Sequence, residues 1–335
     1  MTDTPLLSVE NLSVRFEIKR GGWGKKSYLY AVDDVSFQVP KGQTLGIVGE
    51  SGSGKTTAAL AVARLVPAHQ GVARLGEDDI LSKEGEDLRR MRRRVQFIFQ
   101  DPYSSLNPRK RVADIVREPL DSLSDKSEAE KKKIVDDLFE AVGLRPEQQR
   151  LFPHQFSGGQ RQRIGIARAL ATQPELIICD EAVSALDVAV QAQILNLLRR
   201  LQAQFGLTYL FISHDLGVVQ HMCDSIAVMY MGKIVEQADR LSLFNNPQHP
   251  YTRALLSAVP RVDHPGQPSR NRVLIPGDPP DPNNLPPGCR FASRCPIAKP
   301  DCSQREPLPQ SIGTTHSAAC HYVGTDALDA IGMAD

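Results

Sequence analysis

Gly49-Glu50-Ser51-Gly52-Ser53-Gly54-Lys55-Thr56 is the stretch on which the fold turns. It matches G-x-x-x-x-G-K-[ST]. An apolar run of strand length, Thr44-Leu45-Gly46-Ile47-Val48, leads into it, and residues 56–65 read as the helix that follows. Glycines let the backbone wrap a phosphate chain with its N–H groups, and the helix adds the positive end of its dipole. Lys55 is then expected on the β- and γ-phosphates and the Thr56 hydroxyl on Mg²⁺. Gly49, Glu50, Ser51, Gly52, Ser53, Gly54, Lys55, Thr56 and Thr57 are the candidate nucleotide-binding residues.

Outward from this loop the chain alternates buried strands with helices. Residues 6–48 run in short apolar–polar alternation, as half-exposed antiparallel strands do, with a hairpin loop expected at 21–26. Val95-Gln96-Phe97-Ile98-Phe99 runs into Gln100, Leu176-Ile177-Ile178-Cys179 into Asp180-Glu181, and Thr208-Tyr209-Leu210-Phe211-Ile212 into Ser213-His214. Strands separated by helices imply a mostly parallel sheet covered on both faces, with its ligand beyond the carboxyl ends of the strands. The polar residues just named all fall at such ends. Asp180 is placed to bind Mg²⁺ opposite Thr56, and Glu181, next in the chain, to polarise an attacking water.

Phe156-Ser157-Gly158-Gly159-Gln160 supplies a second phosphate-binding surface: a serine that caps a helix and bare glycine N–H groups at that helix's start. One chain cannot easily fold this tip onto its own phosphate loop, so the tip is expected to serve another subunit's nucleotide. With these motifs in this order, residues 6–255 resemble the ABC ATPases, Phe156 standing where that family's signature has leucine. The resemblance implies a RecA-like P-loop α/β core with antiparallel β and α-helical subdomains. Gln100 matches the family's Q-loop residue, which contacts Mg²⁺ and water, and Ser184-Ala185-Leu186-Asp187 matches the D-loop. His214 matches the switch histidine that positions the γ-phosphate and the water. Catalytic roles thereby fall to Glu181, His214 and Gln100; Ser157, Gly158, Gly159, Gln160 and Asp187 join the nucleotide contacts. An aromatic near the first strand would stack on adenine, either Phe16 or Tyr30. The mechanism implied is a head-to-tail pair of chains that clamps two ATP molecules, closes on binding and reopens on hydrolysis.

Two further elements narrow the resemblance. Gln100-Asp101-Pro102-Tyr103-Ser104-Ser105-Leu106-Asn107-Pro108-Arg109 is similar to the segment after the Q-loop in ATPases of oligopeptide, dipeptide and nickel importers. Asn246-Pro247-Gln248-His249-Pro250-Tyr251-Thr252-Arg253 matches the element that opens that family's C-terminal extension. The division expected is an ATPase domain at 1–259, with a helical subdomain at about 101–158, and an extension at 260–335. Nine of the 24 prolines fall between Pro260 and Gly288, which suits a semi-rigid connector. Beyond it stand Cys289, Cys295, Cys302 and Cys320, a set of thiols fit for zinc or an iron–sulfur cluster. Family members with a tail of this kind favour [4Fe–4S] over Zn²⁺, and His316 and His321 lie near enough in sequence to replace one cysteine.

Composition excludes several classes. A formal charge of +1 argues against a dedicated nucleic-acid binder. No apolar run approaches the ~18–20 residues of a membrane span, and residues 1–5 do not open a secretory signal. The resemblance therefore places the chain at the cytoplasmic face of the inner membrane, as a peripheral subunit that energises di- or oligopeptide import. Nickel, glutathione or opine uptake would look alike at this level. The partners implied by the resemblance are a second ATPase subunit, in a heterodimer as importers of this type often form, two transmembrane permease subunits and an extracytoplasmic solute-binding protein.

Overall fold

The computed structural model describes residues 5–18, 27–101, 103–259 and 275–329. The loop expected at 21–26 lies outside them, as do residues 260–274 of the proline-rich connector. In chain order, β1 (Pro5–Ile18) and β2 (Ser27–Pro40) pair antiparallel, and β3 (Thr44–Val48) leads into α1 (Lys55–Val62). Next come β4 (Gln70–Leu75) and β5 (Asp78–Asp79), which complete a four-stranded sheet of order β2-β1-β4-β5. Beyond α2 (Gly85–Arg94) and β6 (Val95–Ile98), the helices α3 (Val112–Leu123), α4 (Glu128–Ala141) and α5 (Gly158–Leu170) pack together. The chain then alternates through β7 (Leu176–Asp180), α6 (Val188–Phe205), β8 (Thr208–Ser213), α7 (Leu216–Met222), β9 (Ser225–Tyr230) and β10 (Lys233–Asp239). Two short helices, α8 (Arg240–Asn245) and α9 (Pro250–Ser257), follow, and the extension contributes β11 (Gln310–Ser311) and β12 (Ser317–Ala318).

The main sheet has the order β11-β12-β10-β9-β3-β8-β7-β6, and from β9 to β6 every neighbouring pair is parallel. Its central strands are buried on both faces, which explains their unbroken apolar sequences. Period-two alternation divides those side chains between two cores. Ile177, Cys179, Tyr209 and Phe211 face the helical layer, with Ile115, Phe139 and Ile164. Leu176, Ile178, Leu210 and Ile212 face α1 and the antiparallel sheet, with Leu7, Val14 and Val32.

Helix ends follow local chemistry. Ser127 and Glu130 form a reciprocal capping box at the start of α4. Asp187 caps α6 by accepting the Val190 N–H at 2.9 Å, and α6 stops at Gly206, whose φ of 65° is open to glycine at no steric cost.

The extension is built into the main sheet. Glu236 of β10 pairs with Ala318 of β12, while its fully buried carboxyl accepts the N–H groups of Gln248 (2.6 Å) and His249 (2.8 Å). The same carboxyl lies 2.8 Å from His316 Nε2. His249 in turn caps α9, its Nδ1 accepting the Tyr251 N–H at 3.1 Å. Burial depresses the His249 imidazole to about 3, so the ring is neutral in the folded chain. Below the ordinary histidine value the unfolded chain binds a proton that the folded chain refuses, so stability falls as pH drops from about 6.5 toward 3. His249→Asn keeps a capping side chain without that proton. In urea titrations across this window, the wild type is expected to lose stability more steeply than the variant by about 1.4 kcal/mol per pH unit.

Candidate functional site

Because β3, β8, β7 and β6 are adjacent and parallel, the residues that follow each of them converge at one edge of the sheet. Ser51, Gly52, Gly54, Lys55, Thr56 and Thr57 after β3 line a cleft of about 510 Å³, together with His214 after β8, Glu181 after β7 and Gln100 after β6. Thr56 Oγ1 donates to Asp180 Oδ1 at 2.9 Å, so a hydroxyl and a carboxyl meet where two oxygen ligands could hold Mg²⁺. Glu181 sits between two partners: Gln100 Nε2 donates to its Oε2 at 2.8 Å, and His214 Nδ1 is 3.1 Å from its Oε1. Its backbone is left-handed, with φ at 46°, a conformation that costs energy in a residue with a side chain and turns the chain sharply off β7.

Burial governs the electrostatics. It lowers the Lys55 ammonium below its ordinary value, against the pull of Glu181, Asp180 and Glu50, which raise it. It raises the Asp180 carboxyl, which the Thr56 hydrogen bond partly offsets and Glu181 reinforces. Lys55 Nζ donates to the carbonyls of Gly49 and Glu50, both at 2.9 Å, and so closes the loop on itself. At Gly49 and Gly54 an added Cβ would stand 2.1 Å from the carbonyl oxygens of Met229 and Ala31, so these positions admit glycine alone.

Not all the residues singled out in the sequence share this cleft. Gly49, Glu50 and Ser53 do not line it: the Glu50 N–H donates to the Tyr251 hydroxyl at 2.8 Å and its carboxyl turns to Arg294. Ser157, Gly158, Gly159 and Gln160 lie at the tip of α5, outside the cleft. There Ser157 Oγ accepts the Gln160 N–H at 3.3 Å and Gln160 Oε1 accepts the Ser157 N–H at 3.0 Å. Gly159 is required by close packing, since a Cβ would meet Val190 at 2.5 Å. Asp187 is occupied in capping α6. Phe16 is 43% exposed on β1, and Tyr30 packs edge-on to His69; neither lines the cleft.

All six cysteines are free. Cys179 and Cys223 belong to the core. Cys289, Cys295, Cys302 and Cys320 surround one small apolar cavity that His249, His321 and Tyr322 also border. Burial pushes the Cys289 thiol up to about 11 and that of Cys295 to about 12. Among the described residues, however, no three His, Cys, Asp or Glu side chains are arranged to hold a metal ion. The expected four-thiolate coordination sphere is thus not formed in this arrangement, although its donors share one cavity.

Residues 32–184 match the family model described as "ABC transporter", and residues 235–302 match "Oligopeptide/dipeptide transporter, C-terminal region". The oligopeptide transport ATP-binding protein AppF of Bacillus subtilis (strain 168) is 47% identical over 318 residues, 94% of this chain and 97% of that one. The chain belongs to the ABC transporter ATP-binding proteins, in their oligopeptide-transport branch. A second such ABC protein, OppF of Escherichia coli (strain K12), is 47% identical, with 94% of this chain and 95% of that one covered. Among solved ABC structures, the dimeric cassette MJ0796 bound to ADP and Pi superposes with a TM-score of 0.62 at 26% identity. It covers 70% of this chain and 98% of its own. The structure of cbiO1 from Clostridium perfringens gives 0.62 at 25% identity, covering 72% and 91%.

Three residues at this ABC site escaped the sequence reading: Tyr251, Arg290 and Arg294. Tyr251 lies in the Asn246–Arg253 element, which had marked the family and nothing else. No spacing links Arg294 to Glu50, 244 positions earlier, or Arg290 to Asp33. Gly54→Ala should drive the loop against the Ala31 carbonyl and cut ATP affinity about tenfold or more. Titration calorimetry with ATP, beside circular dichroism to establish folding, measures this.

Proposed function

We propose that this chain binds and hydrolyses ATP to energise import of di- or oligopeptides. It would sit as a peripheral subunit at the cytoplasmic face of the inner membrane. The observation that carries the reading is the Gln100–Glu181–His214 cluster facing Lys55 and Thr56 across one cleft, in a chain that is 47% identical to proteins named for oligopeptide transport. No helix among the described residues is long and apolar enough to cross a membrane, so membrane attachment would come through two permease subunits. An extracytoplasmic binding protein would supply the cargo, and a second, different ATPase chain would complete a heterodimer.

In this reading Lys55 and the loop N–H groups hold the phosphates, and Thr56, Asp180 and Gln100 hold Mg²⁺. The ion supplies charge neutralisation at the phosphate oxygens when bound. Glu181 accepts a proton from the attacking water, while Gln100 and His214 fix its carboxylate from either side. Ser157, Gly158, Gly159, Gln160 and Asp187, being outside their own cleft, are offered to the nucleotide of the partner, and Phe16 or Tyr30 to adenine. The ATPase domain is taken as 1–259, with its helical subdomain near 101–158, and the extension as 260–335. Glu181→Gln in the assembled transporter is expected to lower steady-state hydrolysis by about 100-fold or more and to leave a closed, ATP-loaded dimer detectable by gel filtration. Hydrolysis at the wild-type rate in that variant would remove Glu181 from this role.

The four thiols are the finer part of the reading. Four thiols about one cavity suit a [4Fe–4S] cluster, with Zn²⁺ the alternative. Metal analysis of anaerobically purified protein is expected to find about four iron and four sulfide per chain. Equimolar zinc without iron would replace the cluster by Zn²⁺, and a chain free of both would leave the extension held by packing and hydrogen bonds alone.

A further inference from the structure

Arg294 stands in the C-terminal extension, one residue before Cys295, yet its guanidinium ends on the phosphate loop. Nη1 donates to Glu50 Oε2 at 2.9 Å and Nη2 to Glu50 Oε1 at 3.2 Å, a bidentate pair in which the arginine side chain is 8% exposed. Tyr251 accepts the N–H of the same Glu50 at 2.8 Å. Glu50 is therefore held at side chain and backbone by residues 244 and 201 positions away. Arg290, four residues earlier, reaches the loop only through its neighbours. It donates to the Met231 carbonyl and the Asp33 carboxyl, and Gly232, next to Met231, donates its N–H to the Ser53 carbonyl at 2.8 Å. Phe291, buried between the two arginines in sequence, seats this segment against Tyr230 and Tyr251 at ring separations of 5.3 and 5.4 Å.

We propose that Arg294, supported by Arg290, is a positioning residue for nucleotide binding, so that the extension forms part of the ATP site of its own chain. A glycine-rich loop has much conformational freedom to lose when it closes on phosphates. Fixing Glu50 and Ser53 removes part of that freedom beforehand for the loop residues that line the cleft, Ser51, Gly52 and Gly54. Arg294 reaches none of Gln100, Glu181 or His214, so its loss acts on the loop's hold on the nucleotide and leaves the chemical step alone. This inference rests on the ATPase reading above.

The test uses the full chain in its assembled transporter. Arg294→Ala is expected to raise KM for ATP about tenfold, with kcat within about twofold, and to weaken equilibrium binding of a fluorescent ATP analogue by the same factor. Glu50→Gln is expected to produce a similar shift, and the double variant no more than either single one. Arg294→Lys, which keeps the charge but not the fork, is expected to recover part of the loss. Lys299→Ala, which removes a cation lying 4.2 Å over the Tyr322 ring in the same extension, is expected to leave KM unchanged. Unchanged KM and analogue affinity in Arg294→Ala, or additive effects in the double variant, would overturn the proposal. So would a fall in melting temperature with neither parameter moved. If Arg294→Ala does not fold, Arg294→Lys and Glu50→Gln read the same contact. Absence of turnover in the wild-type complex sinks the ATPase reading instead, while the binding measurement still reports on the contact.

Discussion

Parallel pairing of β3, β8, β7 and β6 is the constraint from which the site follows. Parallel neighbours end on the same side of the sheet, so a lysine, a threonine, a glutamine, a glutamate and a histidine scattered over some 160 positions arrive at one edge. Burial of those strands on both faces makes the register hard to slip. A shift of one residue would exchange Ile177 and Cys179 with Leu176 and Ile178 between two differently shaped cores. The rigid edge can then carry strained features, among them the left-handed Glu181 and the glycine positions pressed against Met229 and Ala31.

Around that edge the two glycine-bearing helix starts of the chain, at α1 and α5, fall on separate surfaces. The loop after β3 closes one side of a cleft, and the tip of α5 presents capped helix N–H groups elsewhere on the molecule. The extension adds a third participant. Through β12 on β10, through the buried Glu236 and through the arginines beside Cys289 and Cys295, it is joined to the ATPase core by polar contacts that reach the phosphate loop.

How legible these features were depended on their range in sequence. The phosphate loop, the strand-terminal Asp180-Glu181 and the Ser157 cap are local patterns, each readable because strand, turn and helix chemistry act over a few residues. Gln100 and His214 needed the family's order of motifs, since a lone glutamine or histidine carries no local signal. The cysteine tail shows the opposite case. Its clustered thiols and the family resemblance suggested coordination, and the fold does gather the four side chains about one cavity, but no three of them form a coordination set among the described residues.

By itself, then, the sequence determined the elements and the local motifs that hold candidate groups, because periodicity, glycine placement and capping are properties of neighbouring residues. Only tertiary structure decided which groups meet. It set Gln100 and His214 on opposite oxygens of Glu181, turned Glu50 out of the cleft, and brought Arg294 to it. Such contacts arise from how sheet edges and loops pack across the whole chain, and no local pattern encodes a hydrogen bond between residues 244 positions apart.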